Sequence, residues 1–309
     1  MNILVIGGTG FIGYRLVRLL AAQGHGVTCM DANPTAHSFA DLGDRVVSLH
    51  GDVNRFEDVH AAMDASQPER VVNLAYLIGG NHPPHAAMRV NVLGMDNCFE
   101  AARAFGVPHT VYAGSFAANG AQATYGERLV TEDDPVNPDD QYSRHKIANE
   151  WQALDYVENY GMHITGIRTS YVTGQDKVRG SVQHVRCITE PALGRPITLP
   201  FKDKMQCVLH VDETATVFAR VLMADAPAHR IYNSGGTAVS LGEIANVVRS
   251  WLPEASITFE NETGAQPTNS TYLLDNSRLI SKCPSGRIMS HLNLLFVARK
   301  IGLPGANHL

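Results

Sequence analysis

A glycine-rich turn directly after the first predicted strand constrains the fold of this chain more than any other feature. Residues 2–6 form a short apolar run of the kind found in buried parallel strands, and an amphipathic helix is predicted over 11–23. Gly7 allows the tight turn, Gly10 lets backbone approach a pyrophosphate, and Gly13 lets the helix pack closely on the strand. This order predicts a dinucleotide-binding unit; the alternative is a plain turn without a ligand.

The start of the helix and the end of the second strand extend the predicted cofactor site. Phe11 and Ile12 open the helix, where backbone N–H groups and the positive end of the helix dipole favour phosphates. The strand predicted over 26–30 ends at Asp31, about 20 residues after the loop, where a carboxylate accepts hydrogen bonds from a ribose diol. Because this charge repels a 2′-phosphate and no arginine follows it, the sequence predicts NAD as the cofactor and not NADP.

Predicted strands and helices alternate along most of the chain. Strands are predicted over 2–6, 26–30, 45–50, 70–74, 109–113 and 163–168. Helices are predicted over 11–23, 55–64, 84–105, 141–160 and 211–223. Such alternation predicts an α/β fold with a Rossmann-type, doubly wound parallel sheet that binds ligands at the carboxyl ends of its strands. We expect an NAD-binding domain over 1–173 with 208–236, and a small discontinuous substrate lobe over 174–207 with 237–309, where the alternation is weaker.

A tyrosine and a lysine four residues apart predict the chemistry. Tyr142 and Lys146 project from one face of the helix predicted over 141–160. A phenol is a poor base near neutral pH because its reference pKa is about 10, and a nearby ammonium lowers that pKa. The pair can therefore take a proton from an alcohol or return one to a ketone. Alone, the spacing also fits an exposed helical Tyr and Lys, and the glycine loop is what favours catalysis.

Together these motifs resemble the extended short-chain dehydrogenase/reductase superfamily, and within it the NAD-dependent epimerase/dehydratase family, over nearly the whole chain. The resemblance implies that Ser115 joins Tyr142 and Lys146 in the catalytic set and that Lys146 also bonds the nicotinamide ribose. Further cofactor contacts that it implies are Asp52, Val53, Leu74, Ala75, Tyr76 and Asn91. It also implies a homodimer in which the helices near 84–105 and 141–160 pair with their copies. The alternative is that the apolar faces of these helices, which include Ile147, Trp151 and Leu154, only cover the sheet.

Departures from the family pattern bear on the substrate. Enzymes of this family that use nucleotide diphosphate sugars carry an arginine where this chain has Gln206, and a second one near 264–267, where it has none. Dehydratases carry an Asp-Glu pair where this chain has Phe116 and Ala117. Cations that can substitute in binding a diphosphate are Arg179, Arg186 and Lys202. The residues expected in the substrate pocket are Leu77, Ile78, Ser115, Asn119, Tyr171, His184 and Arg186.

The resemblance with these departures predicts an NAD-dependent oxidoreductase that acts on a secondary alcohol or ketone of a small sugar-like or partly apolar substrate. One alternative is a nucleotide-sugar 4-epimerase, similar to UDP-glucose 4-epimerase, with tightly held NAD. Another is a non-catalytic NAD-binding protein.

Composition excludes several other classes. The net charge of −5 and pI of about 6.3 give no basic surplus for nucleic acid or an anionic membrane. No segment approaches the ~20 apolar residues of a membrane span, and the Met1 start reads as a strand and not as a signal peptide. Five scattered cysteines without a C-x-x-C pair predict reduced thiols in the cytoplasm. We expect no metal site.

Overall fold

The structure is a computed structural model that describes residues 1–35, 37–79, 82–225, 227–263 and 270–282. Its strands are β1 (Asn2–Ile6), β2 (Gly26–Asp31), β3 (Val46–His50), β4 (Arg70–Asn73), β5 (His109–Ser115), β6 (Ile164–Thr169), β7 (Tyr171–Thr173), β8 (Ile197–Phe201), β9 (Met205–His210), β10 (Ile231–Asn233), β11 (Thr237–Ser240) and β12 (Ile257–Asn261). Its α-helices are α1 (Phe11–Ala22), α2 (Phe56–Ser66), α3 (Pro84–Met88), α4 (Gly94–Ala104), α5 (Gln141–Tyr160), α6 (Gln183–Ala192), α7 (Val211–Leu222), α8 (Leu241–Trp251) and α9 (Ser277–Lys282). No helix among the described residues has the length and apolar character needed to cross a membrane.

The chain divides into two compact units. Unit 1 comprises Met1–Ala118, Pro138–Thr169 and Val211–Ser234, and unit 2 comprises Asn119–Asn137, Ser170–His210 and Gly235–Leu309. The sequence placed 119–137, 170–173 and 208–210 in the first domain, whereas the structure groups them with unit 2. Contacts within unit 2 explain the first of these differences, because the Gln122 side chain accepts hydrogen bonds from the backbone N–H groups of Tyr272 and Leu273.

Unit 1 is built on a seven-stranded parallel sheet with the strand order β10-β6-β5-β4-β1-β2-β3. The side chains of Ile3 to Ile6 in β1 are fully buried, as expected for a central strand with helices on both faces. The prediction of a doubly wound α/β sheet is confirmed. The short strand β10, which forms one edge of the sheet, was not predicted, since three residues carry too weak a pattern.

The helix predicted over 84–105 is not continuous. A π-helical turn over 89–93 separates α3 from α4. Asn91 lies in this turn, and its side chain binds the backbone of Leu77 with both polar atoms. Turns of this kind widen a helix and often occur at functional sites. Helix α2 begins after Arg55, which occupies its cap position, and the preceding Asn54 side chain donates a hydrogen bond to the Asp52 carboxylate.

Unit 2 contains a three-stranded sheet of order β11-β9-β7 and a parallel pair of β8 with β12. The apolar faces of α6 and α8 contribute to its core. Ser240 caps α8 in a reciprocal arrangement with Glu243, in which each side chain binds the backbone of the other residue.

Candidate active site

The glycine loop has the backbone geometry that its sequence predicts. Gly7 has φ +78°, and a Cβ atom there would lie 2.7 Å from the backbone nitrogen of Ala75. A Cβ on Gly13 would collide with the carbonyl oxygen of Gly7, so helix α1 packs against the turn as closely as only glycine permits. Gly10 is the N-cap of α1, and among the described residues no side chain caps this helix and no acid lies in its first turn. The helix start at Phe11 and Ile12 therefore suits an anionic group.

Asp31 lies at the end of β2, and its carboxylate forms a hydrogen bond with the backbone of the glycine loop. Its Oδ2 accepts a hydrogen bond of 3.2 Å from the backbone N–H of Thr9, and its Oδ1 accepts one of 3.0 Å from that of Asn33. A carboxylate has about four acceptor sites, so these two bonds leave it able to accept from ribose hydroxyls as well. Asp31 thus has a structural role that the sequence did not indicate.

The next two predicted cofactor positions, Asp52 and Val53, follow β3. The Asp52 carboxylate accepts from the backbone and side chain of Asn54, at 2.9 and 2.7 Å. The carbonyl oxygen of Val53 accepts a 2.7 Å hydrogen bond from the Asn97 side chain on α4. These bonds fix the chain where β3 ends.

The segment after β4 is held by two asparagines. The Asn73 side chain accepts from the backbone N–H of Ala75 at 3.0 Å. Asn91 accepts from the N–H of Leu77 at 2.8 Å and donates to its carbonyl oxygen at 3.1 Å. The Asn91 amide therefore fixes the backbone between Leu74 and Ile78. This contact gives Asn91 a positioning role, and the cofactor contact expected of Asn91 stays a prediction.

The three predicted catalytic residues all belong to unit 1. Ser115 ends β5 and is buried, and its Oγ accepts a hydrogen bond of 3.2 Å from the N–H of Ala117. Helix α5 begins after Asp140, whose carboxylate accepts from the backbone N–H of Ser143 while the Ser143 hydroxyl accepts from the N–H of Asp140. This capping box fixes the first turn, which carries Tyr142, and Lys146 follows one turn later.

Lys146 is 2% exposed and its Nζ donates a 2.6 Å hydrogen bond to the carbonyl oxygen of Ala113 on β5. The same nitrogen lies 3.3 Å from the centre of the Tyr76 ring and 5.5 Å from that of Tyr142. Burial lowers the pKa of Lys146 well below its usual value, and the negative charge of Glu150 opposes this shift. The Lys146 nitrogen therefore contacts a carbonyl group and an aromatic face, and the carboxylate of Glu150 belongs to the next turn of the same helix.

A buried ion pair supports the same helix. Arg168 on β6 donates two hydrogen bonds of 2.8 Å to the two carboxylate oxygens of Glu150. Neither residue of this ion pair is among the site residues predicted from the sequence. The spacing of Glu150 four residues from Lys146 was the available signal, because it places both side chains on one face of α5.

The predicted substrate residues are divided between the two units, with Leu77, Ile78 and Ser115 in unit 1 and Asn119, Tyr171, His184 and Arg186 in unit 2. Tyr171 on β7 shares a 3.0 Å hydrogen bond with Ser270, and its ring centre lies 5.8 Å from that of His184 on α6. His184 is buried, and burial lowers its pKa to about 3. Arg186 points away from this cluster: its side chain is exposed and pairs with Glu190 at 3.7 Å. Asn119 is buried, and its carbonyl oxygen accepts from the Tyr125 hydroxyl. The structure thus places His184 and Arg186, predicted to share one pocket, on different faces of α6.

Within the described ranges, no cluster of three or more His, Cys, Asp or Glu side chains is arranged to hold a metal ion. The second arginine position of the nucleotide-sugar enzymes, near 264–267, lies outside the described residues.

A sequence model of the NAD-dependent epimerase/dehydratase family matches residues 3–235. The chain belongs to this family. Membership of the epimerase/dehydratase family makes it an NAD-dependent enzyme of the extended short-chain dehydrogenase/reductase type, and the loop geometry of Gly7 and Gly13 fits that cofactor.

Relatives within the epimerase/dehydratase family include a UDP-glucose 4-epimerase from Mycolicibacterium smegmatis, which is 31% identical over 78% of this chain and 77% of that protein. Protein CapI of Staphylococcus aureus is 30% identical over 56% of this chain, and the alignment spans 55% of that protein.

Solved structures share the fold. A Thermus thermophilus UDP-glucose 4-epimerase in complex with NAD superimposes with a TM-score of 0.83 at 23% identity, over 97% of this chain and 99% of that chain. An L-threonine dehydrogenase from Cupriavidus necator superimposes with a TM-score of 0.81 at 20% identity, over 91% of this chain and 93% of that chain. The fold therefore occurs both in an enzyme named for a nucleotide sugar and in one named for a free amino acid.

Proposed function

We propose that this enzyme transfers hydride between NAD and a secondary alcohol or ketone of a small sugar-like or partly apolar substrate, with Tyr142 as the acid and base. The observation that carries the proposal is the pairing of Tyr142 with the buried ammonium of Lys146 one turn away on α5. A nearby cation favours the phenolate and so makes the phenol a usable base.

In the direction of oxidation, the Tyr142 oxygen takes the proton of the substrate hydroxyl as the C–O bond becomes a carbonyl. Ser115 donates a hydrogen bond to the same substrate oxygen and stabilises the charge that develops on it. When bound, NAD supplies the acceptor for the hydride that leaves the carbon atom. Reduction of a ketone is the reverse, with Tyr142 returning the proton.

The residues that we propose for cofactor binding share one property: each follows the carboxyl end of a strand in unit 1 or lies on a helix next to one. They are Gly7, Gly10, Phe11, Ile12, Gly13, Asp31, Asp52, Val53, Leu74, Ala75, Tyr76, Asn91, Tyr142 and Lys146. Asp31 supports a preference for NAD over NADP because its charge opposes a 2′-phosphate.

The side chains of unit 2 favour a substrate without a nucleotide handle. Gln206, which stands where nucleotide-sugar enzymes of the family carry an arginine, is fully buried on β9 and has no charge. Two of the cations named as substitutes for that arginine lie at the exposed surface, where Arg186 pairs with Glu190 and Lys202 with Glu262. A diphosphate is usually bound by arginines through strong bidentate hydrogen bonds.

The relatives favour a second candidate, a nucleotide-sugar 4-epimerase that retains NAD and returns the hydride to the same substrate. Two experiments separate the candidates. The first measures NADH release with panels of alcohols, sugars and nucleotide sugars, and Tyr142→Phe serves as the inactive control. The second measures UDP binding by calorimetry. Release of NADH with a nucleotide-free substrate and UDP affinity weaker than millimolar support the proposal, and micromolar UDP affinity without NADH release replaces it with the epimerase.

We further propose a homodimer and a cytoplasmic location. Trp151 on α5 is 63% exposed, and Met88 and Leu93 beside the π-helical turn are also exposed, so an apolar surface is available for a second copy. Four cysteines within the described residues are buried and free, and burial raises the pKa of each thiol to about 12. Buried thiols of this kind are typical of a reducing compartment.

A further inference from the structure

The Lys146 side chain lies over the Tyr76 ring and near the Tyr142 ring. Its Nζ is 3.3 Å from the centre of the Tyr76 ring and 5.5 Å from the centre of the Tyr142 ring. The two rings meet edge to face, with centres 5.5 Å apart and planes at 82°. Tyr76 follows β4 and Tyr142 opens α5, so the contact joins two elements of unit 1 at the catalytic pair. The predicted role of Lys146 requires its charge to persist in this buried place.

Few other groups stabilise that charge. The Ala113 carbonyl accepts one hydrogen bond from Nζ, and Glu150 on the same helix is the carboxylate whose field favours the ammonium. Glu150 also accepts two hydrogen bonds from Arg168, which offset part of its charge. An aromatic face attracts a cation through the ring quadrupole, and most strongly where water is excluded.

We propose that Tyr76 is a positioning residue of the catalytic pair, whose ring face holds the Lys146 ammonium beside Tyr142 and keeps it charged. The ring of Tyr76 makes the contact with Lys146, and the hydroxyl does not. Within the part of the chain that the structure describes, the Tyr76 hydroxyl is buried and has no hydrogen-bond partner. The ring therefore makes the contacts of Tyr76 with the catalytic pair, a face contact with Lys146 and an edge contact with Tyr142.

Substitutions at Tyr76 separate the ring from the hydroxyl. Tyr76→Phe keeps the ring face, and Tyr76→Leu keeps an apolar side chain but removes the quadrupole. Without the ring, the ammonium is less stable, and the Tyr142 phenolate loses part of the charge that favours it. We expect the pKa of Tyr142 to be about 0.5–1 unit higher in Tyr76→Leu than in Tyr76→Phe.

The direct measurement is tyrosinate absorbance as a function of pH in the full chain without cofactor. Each Tyr76 variant is titrated alone and with Tyr142→Phe added, and the difference isolates Tyr142. The control is Tyr160→Leu, because the exposed Tyr160 ring faces Arg103 at 4.9 Å, away from the catalytic pair. This control is expected to leave the Tyr142 titration unchanged.

A second measurement follows the acid limb of the pH dependence of kcat, and it rests on the proposed function. The apparent pKa on the acid side of the kcat profile should be higher in Tyr76→Leu. Turnover at pH values below this pKa should therefore be about three- to tenfold lower than in Tyr76→Phe. An equal Tyr142 pKa in both variants, or a lower one in Tyr76→Leu, overturns the role of the ring. Absence of NADH formation by the unmodified enzyme removes the proposed function but leaves the absorbance test intact, since that test needs no turnover.

Discussion

Loss of the Arg168 side chain should destabilise unit 1 far more than loss of an exposed arginine. In Arg168→Met, Glu150 keeps its charge but loses two hydrogen bonds of 2.8 Å, in a place where the two side chains are only 4% and 14% exposed. A carboxylate left buried without its partner costs about 3–5 kcal/mol. This is a large part of the roughly 5–15 kcal/mol by which a domain is stable.

Urea unfolding measures this loss in unit 1 alone. The chain has two tryptophans, Trp151 in unit 1 and Trp251 in unit 2, so the Trp251→Phe background leaves one fluorescent reporter on helix α5, next to Glu150. The matched control is Arg103→Met, which removes an ion pair with Glu100 whose side chains are 38% and 37% exposed. An exposed pair contributes at most about 1 kcal/mol, so the control should shift the midpoint little. All variants are compared at one protein concentration, because dimer formation would add to stability.

A second substitution tests the cause of the loss. Adding Glu150→Leu to Arg168→Met removes the uncompensated charge, and we expect it to restore a large part of the lost stability. The reasoning is refuted if Arg168→Met costs less than the exposed control, or if the double variant is less stable than Arg168→Met.

Four further outcomes are expected. Tyr142→Phe should abolish turnover with NAD affinity nearly unchanged, and Lys146→Ala should reduce both; turnover close to the original in the phenylalanine variant contradicts the role of the phenol. Asp31 should give a ten- to several-hundred-fold preference for NAD over NADP, from a repulsion of roughly 1–4 kcal/mol, and equal dissociation constants would place Asp31 away from the ribose. Solution scattering at micromolar concentration should give twice the 33.5 kDa mass of the chain, through the surface that includes Trp151, and a monomer mass rejects the dimer. His109 is buried, which lowers its pKa to about 4, so the unfolded state takes up a proton between pH 6.5 and 4 that the native state does not. His109 should therefore contribute a fall in stability of roughly 3 kcal/mol across that range, in addition to the fall from the buried His184, and His109→Gln should reduce the pH dependence by about that amount in urea titrations.

The parallel sheet of unit 1 was predictable because its strands and helices carry strong, regular patterns. Strands β1 and β2 and helix α5 lie within one residue of their predicted bounds. Where prediction failed, the deciding contacts join residues distant in sequence. Strand β8 pairs with β12 some 60 residues later, as in Ile197 with Ile257, and no local pattern in either strand identifies the other. The π-helical turn at 89–93 likewise depends on the bond from Asn91 to Leu77, which hydrophobic periodicity does not reveal.

The candidate site also contains some residues that the local sequence predicts and others that depend on tertiary packing. Gly7 and Gly13 were identifiable because their backbone positions exclude every larger residue. The Tyr142 and Lys146 pair was identifiable because a helix fixes their spacing. The family resemblance places Tyr76 at the cofactor, and no local sequence pattern shows that its ring covers Lys146. That contact depends on how the end of β4 packs against α5, which is a property of the fold.

We therefore expect the sequence to predict cofactor recognition more reliably than substrate recognition. Many of the residues proposed for the cofactor lie at a glycine, a helix start or a strand end of unit 1, where the backbone leaves few acceptable side chains. Gln206 and His184 are buried side chains of unit 2, and we propose that substrate recognition depends on side chains such as these. An arginine at position 206 would place a charge where this enzyme has a neutral amide. Differences in substrate between members of the epimerase/dehydratase family are therefore expected to follow substitutions in unit 2, while the loop of unit 1 stays the same.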